Sequence, residues 1–122
     1  MPTFTLTEQE ADGDFFQPRK PKRGDPWLVI ERRLNDGGGT QVGTFTVRGT
    51  FMTKLRKKEA VIAFHATNKL TGRGDISTQA VIRLSDFDQP PVIIAIVGGT
   101  GEFRNARGTV SIDSPRFTFD VT

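Results

Sequence analysis

The sequence predicts an all-β fold, an eight-stranded antiparallel up-and-down β-barrel, on three observations. Apolar residues recur at every second position, Val, Ile, Phe and Thr fill the spaces between punctuating glycines and prolines, and turn residues return at short intervals along the whole chain. No stretch shows the periodicity of an amphipathic helix. With 122 residues the chain has material for one core, so a single domain over 1–122 is expected.

The elements follow in order. Phe4-Thr5-Leu6-Thr7 alternates as a half-buried strand does. Ala11 to Pro26 carries Asp12-Gly13-Asp14, Pro18 and Pro21, with Arg19, Lys20, Lys22 and Arg23, and reads as an exposed loop or flap. Trp27 to Leu34 is a strand ended by Asn35-Asp36-Gly37-Gly38-Gly39, residues that tolerate the positive φ of a tight hairpin. Thr40 to Met52 places Phe45, Val47 and Phe51 on one face and Thr44, Thr46, Arg48 and Thr50 on the other. After a basic turn at Lys54 to Lys58 come strands at Ala60 to Leu70 and Asp75 to Leu84, separated by Thr71-Gly72-Arg73-Gly74. Pro91 to Gly98 is apolar on both faces, the pattern of a strand with the core on one side and another protein surface on the other, and so points to an oligomer. Gly98-Gly99-Thr100-Gly101 turns the chain into strands at Ala106 to Asp113 and Phe117 to Val121. Eight strands suit a closed barrel with no free edge; a β-sandwich remains open on spacing alone.

Composition narrows the chemistry. Without cysteine there are no disulfides or thiolate sites, and with His65 as the only histidine neither a metal site nor a hydrolase triad is expected. Gly99-Thr100-Gly101-Glu102-Phe103-Arg104 lacks the third glycine and the following helix of a dinucleotide fingerprint, so no cofactor is expected either. A net charge of +3 and a pI near 9.7 raise nucleic acid as a partner. Its basic runs, 19–23 and 54–58, fall in predicted turns with few aromatics to stack on bases, so no nucleic-acid partner is expected. No apolar run approaches the roughly 20 residues that span a bilayer, so no membrane partner is expected. Residues 1–10 lack a secretory pattern, making the cytoplasm the expected location.

Three polar side chains are candidates for chemistry. By the two-residue period Glu31 shares a face with Trp27, Val29 and Arg33. If that face lines the lumen, Glu31 is an acid or base whose pKa an apolar cavity raises, with Trp27 and Val29 as ligand-binding walls; facing outward, it pairs with a neighbouring arginine. Arg107, in a row with Thr109, Ser111 and Asp113, either holds a carbonyl or carboxylate from the lumen wall or forms a salt bridge at the barrel end. His65, beside Val61, Ala63 and Thr67, is a proton shuttle or a hydrogen-bonded structural residue. Phe15 and Phe16 would seal the mouth if the flap closes. The glycine turn at 98–101 marks architecture first and the cavity rim second.

Ala95-Ile96-Val97-Gly98-Gly99-Thr100-Gly101-Glu102-Phe103-Arg104-Asn105-Ala106-Arg107-Gly108 resembles the dirigent signature V-G-G-T-G-x-F-x-x-A-R-G, of which allene oxide cyclases carry a looser form. Val29-Ile30-Glu31-Arg32-Arg33-Leu34, then Gln41-Val42-Gly43 and Gly49, resembles the dirigent run V-I-D-D-x-L, L-V-G and a further glycine. The resemblance, over roughly residues 27–113, implies an eight-stranded barrel assembling as a dimer or trimer. Glu31 matches the first family acid, Arg32 replaces the second, and the chain has no tyrosine. Small bacterial members of this allene oxide cyclase and dirigent superfamily include cofactor-free cyclases of polyketide-like chains, some performing cycloadditions. The expected function is therefore a cofactor-independent cyclase or isomerase of an elongated apolar small molecule held in the lumen, and the alternative is a dirigent-like carrier without chemistry.

Overall fold

A computed structural model of the chain describes residues 3–11, 13–53 and 59–122. The described strands are β1 (Thr3–Gln9), β2 (Phe15–Phe16), β3 (Pro26–Asn35), β4 (Gln41–Phe51), β5 (Val61–Leu70), β6 (Gly74–Arg83), β7 (Val92–Gly99), β8 (Gly108–Asp113) and β9 (Arg116–Val121). From β3 to β9 every strand pairs antiparallel with its sequence neighbour, and β1 lies between β9 and β3. That last pairing closes the sheet into an eight-stranded barrel; β2 is a short appendage on the start of β3. Closure disposes of both edges of the sheet, which decides between the barrel and the sandwich that strand spacing left open. The only other regular elements described are short 3₁₀ turns at Leu84–Asp88 and Gly101–Phe103, and no helix is long and apolar enough to cross a membrane.

Alternation sends Phe45, Val47 and Phe51 of β4, Ile62, Phe64 and Ala66 of β5, and Val92, Ile94 and Ile96 of β7 into one core. Phe51, Ile62 and Phe119 have no exposed surface, and burying each such side chain stabilises the barrel by about 1.5–3 kcal/mol. The opposite face of β7 is apolar and exposed, with Ile93 at 61% and Val97 at 40%, beside Val81 of β6 at 70%.

The barrel's irregularities carry more information than its regular parts. Along β3, Val29 pairs with Val47 but Arg32 pairs with Phe45, so three residues of β3 oppose two of β4. This bulge holds Glu31 at φ 48°, a left-handed conformation uncommon for a residue with a side chain. It also reverses the inward parity of β3: Trp27 and Val29 point in before it, Arg32 and Leu34 after it.

The glycine turn after β7 packs on the β5–β6 hairpin. A Cβ on Gly99 would stand 2.2 Å from the Asp75 carbonyl oxygen, and one on Gly74 2.2 Å from that of Thr100, where φ is also +123°. Only glycine permits the two turns to touch backbone to backbone. Arg73 caps the contact, paired with Glu102 at 3.0 Å and lying over the rings of Phe4 and Phe103. The turn closes one end of the barrel and is not at the cavity rim: β7 runs from Val92, which lines the cavity, to Gly99, which does not.

The segment 11–26 is bound to the barrel rather than free. Asp14 and Pro21 are buried, Phe15 and Phe16 pair with Val29 and Leu28, the Ile30 N–H donates to the Asp14 carbonyl at 2.7 Å, and Gly24 and Asp25 bond the backbone of Phe51. The basic turn expected at 54–58 lies outside the described residues.

Candidate functional site

A cavity of about 480 Å³ opens at the end of the barrel opposite the glycine turn. This volume is in the range of small-molecule sites. Six aromatic side chains line it: Phe15, Trp27, Phe45, Phe64, Phe87 and Phe117. Trp27 organises the mouth, stacked on Phe64 with centroids 5.6 Å apart, tilted on Phe87 at 5.9 Å and met edge-on by Phe15 at 6.0 Å. Its indole N–H donates to Gln17 Oε1 at 3.0 Å, which fixes the ring and ties it to the flap.

Into this apolar wall project Arg32 and Glu8, brought together because β1 and β3 close the barrel side by side. The Arg32 guanidinium donates from Nε and Nη2 to both oxygens of Asp14, at 2.9 and 3.1 Å, and from Nη1 to Glu8 Oε1 at 2.5 Å. The second Glu8 oxygen accepts the Ser114 hydroxyl at 3.3 Å. Glu10, exposed, stands 3.6 Å from Nη1. Burial pushes the Glu8 carboxyl above the usual range, against the pull of Arg32. Asp14 is held below its usual range by the hydrogen bonds from Arg32. Burial works against the Arg32 cation, but Asp14 and Glu8 outweigh it and the charge is locked in place. The wall therefore combines a carboxyl that keeps its proton more readily than a solvated one with a fixed cation beside it, a pairing suited to proton transfer at a bound ligand.

Trp27, Val29 and Phe15 line the cavity, whereas Phe16 lies outside its lining, half-exposed beside Leu28. The three expected catalytic side chains do not meet there. Glu31 is exposed because the bulge at 30–31 turns it outward, and Arg33 follows it, so the face shared with Trp27 and Val29 passes to Arg32. Arg107 precedes β8 at the closed end, exposed, with Nη1 donating to the Ala106 carbonyl at 2.7 Å; Val110 and Ile112 take the inward positions of that strand. His65 is on the outer surface between Arg48 and Gln79, because Phe64 and Ala66 hold the inward parity of β5.

Glu8, Asp14 and Arg32 were not among the sequence candidates. Glu8 carried a signal, since the alternation of Phe4 and Leu6 continued one step puts it on the inward face. Asp14, in a loop, carried none; Arg32 stood at the position of the second family acid but on the wrong parity until the bulge is known.

A family model described as dirigent-like protein matches residues 27–121. No curated protein matches the chain. Among solved structures, a pyocyanin demethylase is similar with a TM-score of 0.75 at 24% identity, over 99% of this chain and 100% of that one. A pterocarpan synthase dirigent protein is similar with a TM-score of 0.66 at 18% identity, over 98% and 83%. A nonspecific heme-binding cyclase that catalyses a [4+2] cycloaddition during neoabyssomicin biosynthesis gives 0.57 at 14% identity, over 95% and 58%. At these identities the likeness is one of fold.

Proposed function

This chain belongs to the dirigent-like family, and from that premise we propose that it is a cofactor-independent cyclase or isomerase of an apolar small molecule bound in the barrel cavity. The observation that carries the reading is the buried Glu8–Arg32 pair set in a mostly aromatic and aliphatic wall, whose other polar members are Glu10, Gln17, Asp113 and Ser114. The aromatic walls restrict the conformations of a bound molecule and exclude water, which by itself can supply several kcal/mol toward a unimolecular rearrangement. Glu8 gives or takes a proton at a ligand atom facing it, and Arg32 holds Glu8 in position and stabilises its charged form. Asp14 in turn orients Arg32. The fold neighbours named as a demethylase, a synthase and a cyclase support small-molecule conversion as the use of such a barrel. One of them is described as heme-binding. Here no His, Cys, Met or Tyr is among the described residues lining the cavity, so they do not fit an iron-ligating role, and no step is drawn through a haem.

The test compares small-molecule extracts of source cells with and without the gene, then adds the purified protein, with no cofactor, to the deficient extract. An open-chain or isomeric compound that accumulates and is converted to the missing product supports the reading. Glu8→Gln then loses at least 100-fold in rate, while Glu31→Gln, His65→Ala and Arg107→Ala stay within about twofold of the parent. Extracts that match, or a product that protein alone does not restore, overturn it in favour of a carrier.

A further inference from the structure

We propose that the loop joining β2 to β3, with the outward face beside it, is a docking surface for a lipid bilayer carrying anionic headgroups.

Antiparallel pairing of Phe15 and Phe16 with Val29 and Leu28 makes residues 17–27 the connecting loop of a hairpin. The Trp27–Gln17 hydrogen bond closes its base, and Gly24 and Asp25 fasten it to the end of β4 through Phe51. Arg19, Lys20, Lys22 and Arg23 are all exposed on this loop, whose end residues Gln17 and Trp27 line the cavity. Against them stands Asp25, whose carboxylate accepts the Lys22 backbone N–H at 2.9 Å. Residues 15–30 therefore carry a net charge of +3, equal to that of the whole chain. Lys54, Arg56, Lys57 and Lys58, outside the described residues, follow β4 in sequence just beyond Phe51 and are of the same sign. The acids of the mouth belong to other segments of its rim: Glu10 after β1, Glu59 before β5, Asp86 and Asp88 in the turn after β6, and Asp113 at the end of β8.

Apolar surface adjoins the cations. Val29 points inward, so Leu28 and Ile30 point out, and Phe16, the cross-strand partner of Leu28, joins them. Phe16 is 48% exposed and Ile30 54%. An anionic bilayer holds such a surface in two ways: its headgroups attract the cations, and the apolar side chains enter the boundary below the headgroups. An aliphatic side chain such as Ile30 gives nucleic-acid bases nothing to stack on, which favours lipid over a polynucleotide. β3 stands four strands from β7 in either direction round the barrel, so a homo-oligomer formed through Ile93 and Val97 leaves this face uncovered. The expectation of no membrane partner rests on the absence of a spanning run, and a surface contact needs none.

The test is co-sedimentation of the protein with vesicles of phosphatidylcholine, with or without phosphatidylserine as a third of the lipid. Binding is expected to be at least tenfold tighter with phosphatidylserine present and to be lost at about 0.5 M NaCl. Lys20→Glu combined with Lys22→Glu weakens it at least tenfold, whereas Arg104→Glu combined with Arg107→Glu, the same change of charge at the closed end, weakens it less than threefold. Phe16→Ser weakens it at least threefold. All five side chains are exposed, and unchanged Trp27 emission checks that each variant folds. The proposal is overturned by no binding, by binding that ignores headgroup charge or Phe16→Ser, by equal losses from the two double variants, or by tighter binding of a single-stranded oligonucleotide. Each of these outcomes leaves the reading of the cavity standing, because the extract experiment judges that separately.

Discussion

Arg32 grips Asp14 through two parallel N–H···O bonds, of 2.9 and 3.1 Å, and so ties the segment before β3 to the bulge within it. The same guanidinium holds Glu8 on β1, making one side chain the junction of flap, bulge and barrel seam. Asp14→Ala removes the grip and leaves Arg32 short of a partner on a largely buried wall. Breaking a fully buried pair costs roughly 3–5 kcal/mol; at a cavity wall the expected cost is about 2 kcal/mol, read as a lower urea midpoint. Trypsin provides an independent readout, with faster cleavage expected at Arg19, Lys22 and Arg23 in the released segment.

Stability against pH follows from the same cluster. Glu8, raised above its ordinary 4.5 in the folded state, binds its proton more tightly folded than unfolded, so its contribution is full below 4.5 and is lost as pH rises through the folded value. Asp14, lowered from 3.8, acts in the opposite sense: its contribution is present above 3.8 and is lost as pH falls through the folded value. Thermal unfolding should show greatest stability from these two groups around pH 4, with a decline on the alkaline side that Glu8→Gln removes. A decline of the same size in that variant would assign it to other groups.

The glycine turn yields a paired comparison. Gly74→Ala places a Cβ against the Thr100 carbonyl at φ +123°, while Gly72→Ala adds one in open space at φ +75°. Conformational strain alone costs about 1 kcal/mol, so Gly72→Ala is expected near that figure and Gly74→Ala at least about 1 kcal/mol beyond it. Chemical denaturation of the two variants side by side checks the ordering. Equal costs would mean that the backbone contact between the turns is not maintained in solution.

The exposed apolar row Val81, Ile93 and Val97 carries the expectation of a homo-oligomer, dimer or trimer. Light scattering on the purified protein should give two or three times 13.5 kDa, and Ile93→Glu should return it to 13.5 kDa without altering Trp27 emission. A parent that runs as a monomer rejects the assignment.

Eight strands, their up-and-down order and the division of β4 and β5 into two faces were readable in the sequence, since the two-residue period is a local property and turns announce themselves through glycine, proline and asparagine; which face turns inward was not, and β7 read as apolar on both. Closure was expected from the strand count, but the sandwich stayed open until the β1–β3 pairing, which joins segments with no local signal in common, decided it. The polar site was not readable. The alternation that correctly placed Trp27 and Val29 inside also carried Glu31 inside, and a single extra residue at 30–31 exchanged it for Arg32. Where a bulge falls depends on how two strands twist and pair, a tertiary matter, and one residue of slip reverses every side chain beyond it. The sequence by itself determined which residues are able to form strands, a core and a glycine-only turn; the tertiary structure alone decided which charges share a wall. Periodicity is written into neighbouring residues, whereas the meeting of Glu8, Asp14 and Arg32 depends on three chain segments converging at one seam.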